Sequence, residues 1–222
     1  MSAGADARGR PRATSRDTIA EAACELFLER GYADTTVAEI TRRAGVSRSS
    51  FFNYFGSKAD VLWGGFDGRM DAAVAALTAG TPVRDALHTL VDRFAPDALA
   101  LAITNADAMG IAGDLDDERA LRTGRLARAV SDRLVAGGAP RLIADVRAGV
   151  AAAAVLAAVW AWASAGTARG DLGGLLDEAL AAASVLSDSG RSRVHDTNCK
   201  GCCATRRDCA RACGVSRHRT CR

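Results

Sequence analysis

The sequence predicts an all-α protein, and three observations carry that prediction. Its composition is 49% hydrophobic and 25% charged. The apolar share is mostly Ala and Leu, with few β-branched runs and none of the alternation of a half-buried strand. Apolar residues instead recur at three-four spacing along most of the chain. Finally, Thr36 is followed three positions later by Glu39 and Ser57 by Asp60, the pattern that opens a helix.

The elements follow in order. Residues 1–16 carry four Arg against one Asp and read as a flexible basic arm. Ile19, Ala22, Ala23, Leu26, Phe27 and Arg30 then mark a helix that Gly31 stops. Thr36 and Glu39 open a short helix with Val37, Ile40 and Ala44 on one side, and Gly45 supplies a tight turn. Ser47 caps a second short helix, whose apolar face is assigned to Phe51 and Phe55 with part of Phe52. Two short helices across a Gly turn, behind a longer supporting helix, predict a helix-turn-helix unit over 17–64.

Ser57 and Asp60 start a longer helix through Val61, Leu62, Phe66, Met70, Val74 and Leu77, broken by "GTP" at 80–82. Further helices are expected at roughly 83–94, 97–112, 117–136, 141–168 and 172–187. Their separators are Pro96, "GDLDD", "GGAP" and "GTARGDLGG". These form a second domain over 65–187. A Cys- and Arg-rich tail, 188–222, has too little to bury and is expected to be disordered.

Charge is unevenly spread. The overall +3 divides into +3 for 1–16, +7 for 191–222 and −7 for the body between them. A basic arm ahead of a compact helical unit suits a polyanionic partner. No apolar stretch for export occurs in the first 18 residues, so a reducing cytoplasm is expected and disulfides are disfavoured. Between Arg147 and Arg169 lie 21 residues without a charge, more than half of them Ala. A helix buried on nearly all sides, at a subunit interface or under a pocket, is expected there rather than a membrane span.

The stretch "VSRSSFFNYFGSK" (46–58) carries the functional reading. In a helix-turn-helix the second helix enters the major groove, so it needs small or polar residues near its start and aromatic anchors behind them. Ser47, Arg48, Ser49, Ser50 and Asn53 face bases in this reading. Arg suits guanine O6/N7 and Asn suits adenine N6/N7. Thr36, at a capped helix start, and Ser57 offer N–H groups to phosphate, while Lys58 and Tyr54 add contacts that set position.

At these residues the chain resembles the tetracycline-repressor (TetR) family of bacterial regulators. The likeness runs ungapped over about 17–62 through "ALFLERGY", "TTVAEITRRAGVSRSSFFNYFGSKADVL". Phe52 stands where the family pattern has Tyr, so a phosphate-bonding hydroxyl is missing, and Tyr54 stands where His is frequent. Lys58 matches the family's phosphate-contacting lysine. The variant "FFNYFGSKADVLWGGFD" is similar to a subset that includes mycofactocin-system regulators, whose C-terminal half is described as an acyl-CoA-like ligand-binding domain.

The resemblance implies that 65–187 binds a small effector, possessing amphipathic or acyl-CoA character, and forms a homodimer that meets a palindromic double-stranded operator. Release by effector would make the protein a repressor. Phe66, Phe94, Met109, Trp160 and Trp162 are the candidate effector-binding residues, with one of the two Trp turned to the pocket. The apolar stripe Leu172, Leu175, Leu176, Ala179, Leu180, Ala183 and Leu186 suits a helix of the dimer seam. His88 is expected alone at the surface. No catalytic motif, cofactor or metal site is assigned in the body. The competing reading is a metal- or thiol-sensing regulator that signals through the Cys-rich tail, on the approximate zinc spacing of Cys199, Cys202, Cys209 and Cys213.

Overall fold

The structure, a computed structural model, describes the backbone of residues 15–188 and the side chains of 16–182. The described residues up to 184 form one compact unit, which the account below concerns. The expected basic arm and the Cys-rich tail lie outside the described residues.

The described residues are helical, without strands. The helices are α1 (Ser15–Arg30), α2 (Val37–Ala44), α3 (Arg48–Tyr54), α4 (Asp60–Thr78) and α5 (Val83–Val91). They continue with α6 (Ala98–Thr104), α7 (Ala106–Met109), α8 (Ala112–Ala136), α9 (Arg141–Ser164), a 3-10 turn (Gly166–Ala168) and α10 (Leu172–Asp188). Helix α1 packs on α2, α3 and α4, whereas α8 and α9 lie along one another and α4 joins the two groups.

Apolar spacing explains which faces are inside. Ile19, Ala23, Leu26 and Phe27 of α1 are buried, while Arg30, expected in that stripe, faces solvent and pairs with Glu39 at 2.7 Å. Along α4, Val61, Leu62, Trp63, Phe66, Met70, Ala73 and Leu77 are buried. Trp63 is enclosed by Phe66, Trp160 and the Arg122 guanidinium, which lies 4.1 Å from the indole. Arg122 is itself buried, and Asp67 (2.8 Å) and Glu118 compensate its charge.

Several boundaries differ from the sequence expectation. The helix expected over 97–112 is two short ones, parted where Asn105 leaves the helical conformation (φ −117°, ψ 25°), and the second stops at Met109, whose carbonyl accepts the Tyr32 N–H at 2.8 Å. "GDLDD" is not a break: it forms the first turns of α8, where acids oppose the positive helix end. The helix at 83 stops at Val91, and Arg93 adopts a φ of 48° while the Arg69 guanidinium takes the freed carbonyls of Asp92 and Arg93. The helix at 141 ends at Ser164. His88 is not alone, since its Nε2 meets Asp177 of α10 at 2.9 Å.

Helix α9 is not enclosed on nearly all sides. Ala144, Ala148, Ala152, Val155, Val159 and Ala163 are buried, yet Leu142, Val146 and Val150 on the other side are exposed. Among the described residues it is one helix long and apolar enough to cross a membrane by length and composition.

Candidate nucleic-acid interface

The corner that presents α3 is built from local hydrogen bonds. Thr36 has extended dihedrals, and its hydroxyl accepts the Glu39 N–H at 3.3 Å while Glu39 Oε2 accepts the Thr36 N–H at 2.9 Å. Those bonds from the Thr36 backbone and hydroxyl hold the Glu39 carboxyl below the usual carboxylate range. Beneath the corner, the buried Thr35 hydroxyl donates to the Gly31 carbonyl at 2.8 Å.

Helix α2 ends at Gly45, with φ 67° and ψ 29°. The Gly45 N–H returns to the Arg42 carbonyl and the Val46 N–H to the Thr41 carbonyl, at 3.3 and 3.0 Å. This paired closure needs a left-handed residue, which a side chain disfavours. Two residues later Ser47 caps α3, accepting the Ser50 N–H at 3.1 Å. Phe51 is fully buried and Phe55 nearly so, with ring centroids 5.6 Å apart, and they pin α3 against α1 and α4.

The outward face of α3 carries Arg48, Ser49, Phe52, Asn53 and Tyr54, all exposed. Ser47 and Ser49 are exposed and Ser50 is half-buried. Their hydroxyls bond to one another at 2.8 and 2.9 Å around the cap. Phe52 departs from the expected apolar face: it is 46% exposed, comparable with Tyr54 at 47%. On a helix of this pitch Phe52 lies roughly 100° around from Phe51, at the margin of the face that Phe51 and Phe55 define. The Arg48 guanidinium lies 5.6 Å over the Phe52 ring. Sequence reasoning also passed over Arg42, exposed on α2 and without an ion pair among the described residues. Its presence between Thr41 and Arg43 in an amphipathic helix was the available signal.

Lys58 is turned inward. Its ammonium donates to the Tyr32 carbonyl and, at 3.0 Å, to the Thr35 carbonyl, and lies 4.0 Å over the Tyr32 ring. Burial holds it below the usual lysine range, and a phosphate contact would compete with these bonds. The N–H groups of Gly56 and Ser57 are taken by Asp60 Oδ2 at 2.9 and 3.0 Å. At the two caps the N–H groups of Thr36, Glu39, Gly56, Ser57 and Asp60 are thus engaged within the corner.

The candidate effector residues are dispersed. Phe94 and Trp162, edge to face at 5.3 Å, line one cavity of about 370 Å³ with Arg169. Phe66 and Met109 are core, and Trp160 stacks on Trp63 under Arg119; none of the three lines a cavity described here. A larger cavity, about 660 Å³, lies where α1, α4 and α6 meet. Ala20, Phe55, Val61, Leu62 and Leu101 give it an apolar wall, and Arg16, Asp97 and Arg169 give it charge. The adjacent Gly64 and Gly65 leave room there: a Cβ on Gly64 would fall 2.5 Å from the Arg16 guanidinium, and one on Gly65 2.6 Å from Asp97. Burial pushes the Asp97 carboxyl up and the Cys24 thiol beside the same cavity to about 12. Among the described residues no cluster of His, Cys, Asp and Glu fits a metal ion.

Residues 19–62 match the family of bacterial regulatory proteins, tetR family. A candidate mycofactocin biosynthesis regulator, MftR of Mycobacterium tuberculosis, is 33% identical over 89 residues, 39% of this chain and 45% of that protein. The regulator HbdR of an Aromatoleum species is 46% identical over 48 residues, 22% of this chain and 21% of that one. The aligned part thus spans under half the length of these curated relatives. Among solved structures, the dihydroxyacetone kinase operon activator DhaS superposes with a TM-score of 0.50 at 14% identity, over 79% of this chain and 97% of that one, a likeness of fold.

Proposed function

We propose, on the premise that this is a tetR-family regulator with its helix-turn-helix at 19–62, that the chain is a ligand-responsive repressor acting in the bacterial cytoplasm. The observation that carries the reading is the capped α2–Gly45–α3 corner with Phe51 buried behind an exposed face of Arg48, Asn53 and Tyr54. In this geometry α3 enters the major groove, Arg48 and Asn53 read bases, and Tyr54 and Arg42 meet the sugar-phosphate backbone.

The chain works as a homodimer in this reading. Leu142, Val146, Val150, Ala153, Ala157 and Ala161 are exposed on α9 at helical spacing, a stripe of roughly 28 Å. Its small residues suit close approach of a second copy's helix. Arg141, Asp145 and Ser131 form a polar network at one end of the same helix, which suits an aqueous interface better than lipid. Two-fold pairing would set two α3 helices on the half-sites of a palindrome.

The effector in this reading is an amphipathic, acyl-bearing compound, on the mycofactocin-type resemblance. The cavity at the meeting of α1, α4 and α6 has the volume for such a ligand and touches the helix that supports the DNA-binding corner. A ligand there favours one setting of α1 and so alters operator affinity through its differential binding to the two conformations. Genome-wide footprinting of the purified protein tests the first part: enrichment of a palindromic motif is expected, and uniform coverage would refute operator recognition. A screen of acyl-CoAs and free fatty acids for operator release tests the second. Release only by small hydrophilic metabolites would remove the acyl assignment and leave DNA binding standing.

A further inference from the structure

We infer that Arg48 and Phe52 act as one reading unit, the guanidinium on a guanine and the exposed part of the phenyl ring on the methyl group of a thymine close by. The inference rests on the DNA-binding reading and assigns a specificity role to Phe52, which the sequence had placed partly in the core. Four observations support it. Phe52 lies one helical turn after Arg48, on the same outward face, at 46% exposure. Phe51 and Phe55 already supply the aromatic anchors, so Phe52 is not needed to hold α3 in place. Arg48 makes no ion pair among the described residues, and its guanidinium rests 5.6 Å over the Phe52 ring. The neighbouring serine hydroxyls are engaged with each other at the cap.

The chemistry follows from these positions. A guanidinium held over a ring face loses fewer rotamers on binding, and its outer N–H groups remain free for guanine O6 and N7. The Phe52 ring also meets the Phe51 ring edge to face, with centroids 5.2 Å apart, and the part of it left at the surface is what a groove would meet. In the major groove the apolar group within reach of such a ring is the thymine C5-methyl. The 5.6 Å between guanidinium carbon and ring centroid exceeds the ~3.4 Å rise of one base step. The thymine is therefore placed within two steps of the guanine. No phosphate hydroxyl contact is required of this position, which accounts for Phe where the family pattern has Tyr.

Selection of bound duplexes from a random library with the full chain supplies the probe. The expected consensus has, in each half-site, a guanine with a thymine within two steps. Replacing that thymine by deoxyuridine removes only the methyl group and should weaken wild-type binding about fourfold per half-site, the value of one buried methyl-sized group (~0.8 kcal/mol). Phe52→Ala should bind thymine and uracil duplexes equally, and its consensus should lose the thymine; Arg48→Ala should lose the guanine. Equal wild-type affinity for thymine and uracil duplexes would overturn the inference. So would an equal loss for both duplexes on Phe52→Ala, which would put the ring against sugar. The uracil duplex tests the wild-type chain without relying on any variant. Failure of the wild type to enrich any duplex would instead overturn the DNA-binding reading itself.

Discussion

Helices α3 and α9 use the same device for different ends. Each buries one stripe and turns the other out, yet α3 has 7 residues and α9 has 24. A seven-residue helix is too short to hold together alone, so α3 depends on its Ser47 cap and on Phe51 sunk into the core. Its outward face is free to be polar and aromatic. Helix α9 has length enough to persist, and its outward face is instead a run of Val, Leu and Ala. The difference teaches that exposure alone does not name a partner. What matters is whether the exposed atoms are donors and rings, suited to a groove, or aliphatic, suited to a second apolar stripe.

The sharpest break of that comparison is Phe51→Ala. Removing a fully buried ring that no other side chain replaces should cost about 3–5 kcal/mol in denaturant unfolding, and operator binding should go with it. Phe52→Ala, one residue away, should leave the unfolding midpoint nearly unchanged. An equal cost for both would mean that α3 is not seated by Phe51.

Val146→Glu strikes the other helix. If the proposed dimer forms through the outward stripe, a charge there should convert it to monomer in sedimentation and remove any dependence of the melting temperature on protein concentration. Operator affinity should fall on the order of a hundredfold, as one half-site no longer assists the other. A dimer that survives this change would place the seam elsewhere.

Lys58→Ala sharpens the account of the corner. Two carbonyls lose a charged donor, so folding stability should drop roughly 1–2 kcal/mol while the salt dependence of operator binding keeps its slope. A slope flattened by about one phosphate would show that Lys58 swings outward on DNA.

Smaller effects are expected at the α2 cap. Thr36→Ala should cost about 1 kcal/mol of stability, read from chemical unfolding. Glu39 is held below the usual carboxylate range, so its stabilising contribution is complete above that range and is lost as pH falls through the folded-state value. Unfolding midpoints measured from about pH 5 to 3 should therefore decline more steeply for wild type than for Glu39→Gln. Parallel curves would remove Glu39 from the cap.

Much of the α2–α3 corner was legible because its determinants are local. Thr36 with Glu39, Gly45, and Ser47 with Ser50 each act over five residues or fewer, and such contacts are readable as spacing. The buried stripes of α1 and α4 were legible for the same reason. The outward turn of Phe52 was not, because three apolar residues in five leave open which one a neighbour accepts. The candidate effector set was scattered for a related reason: Phe66 and Met109 are as apolar as a pocket wall, but here the chain packs them into its centre.

By itself, the sequence determined that the described residues are helical, where the N-terminal helices begin and end, and that α3 carries a basic and polar face. Those outcomes rest on bonds and periodicities within single elements. Only the tertiary structure decided that Lys58 reaches back to Tyr32 across 26 positions and that the Met109 carbonyl at the end of α7 accepts the Tyr32 N–H. It likewise decided that a cavity opens beside Gly64 and Gly65 where α1, α4 and α6 meet. Each of these joins residues distant in the chain, and their geometry is set by which helices pack together, a property no local pattern encodes.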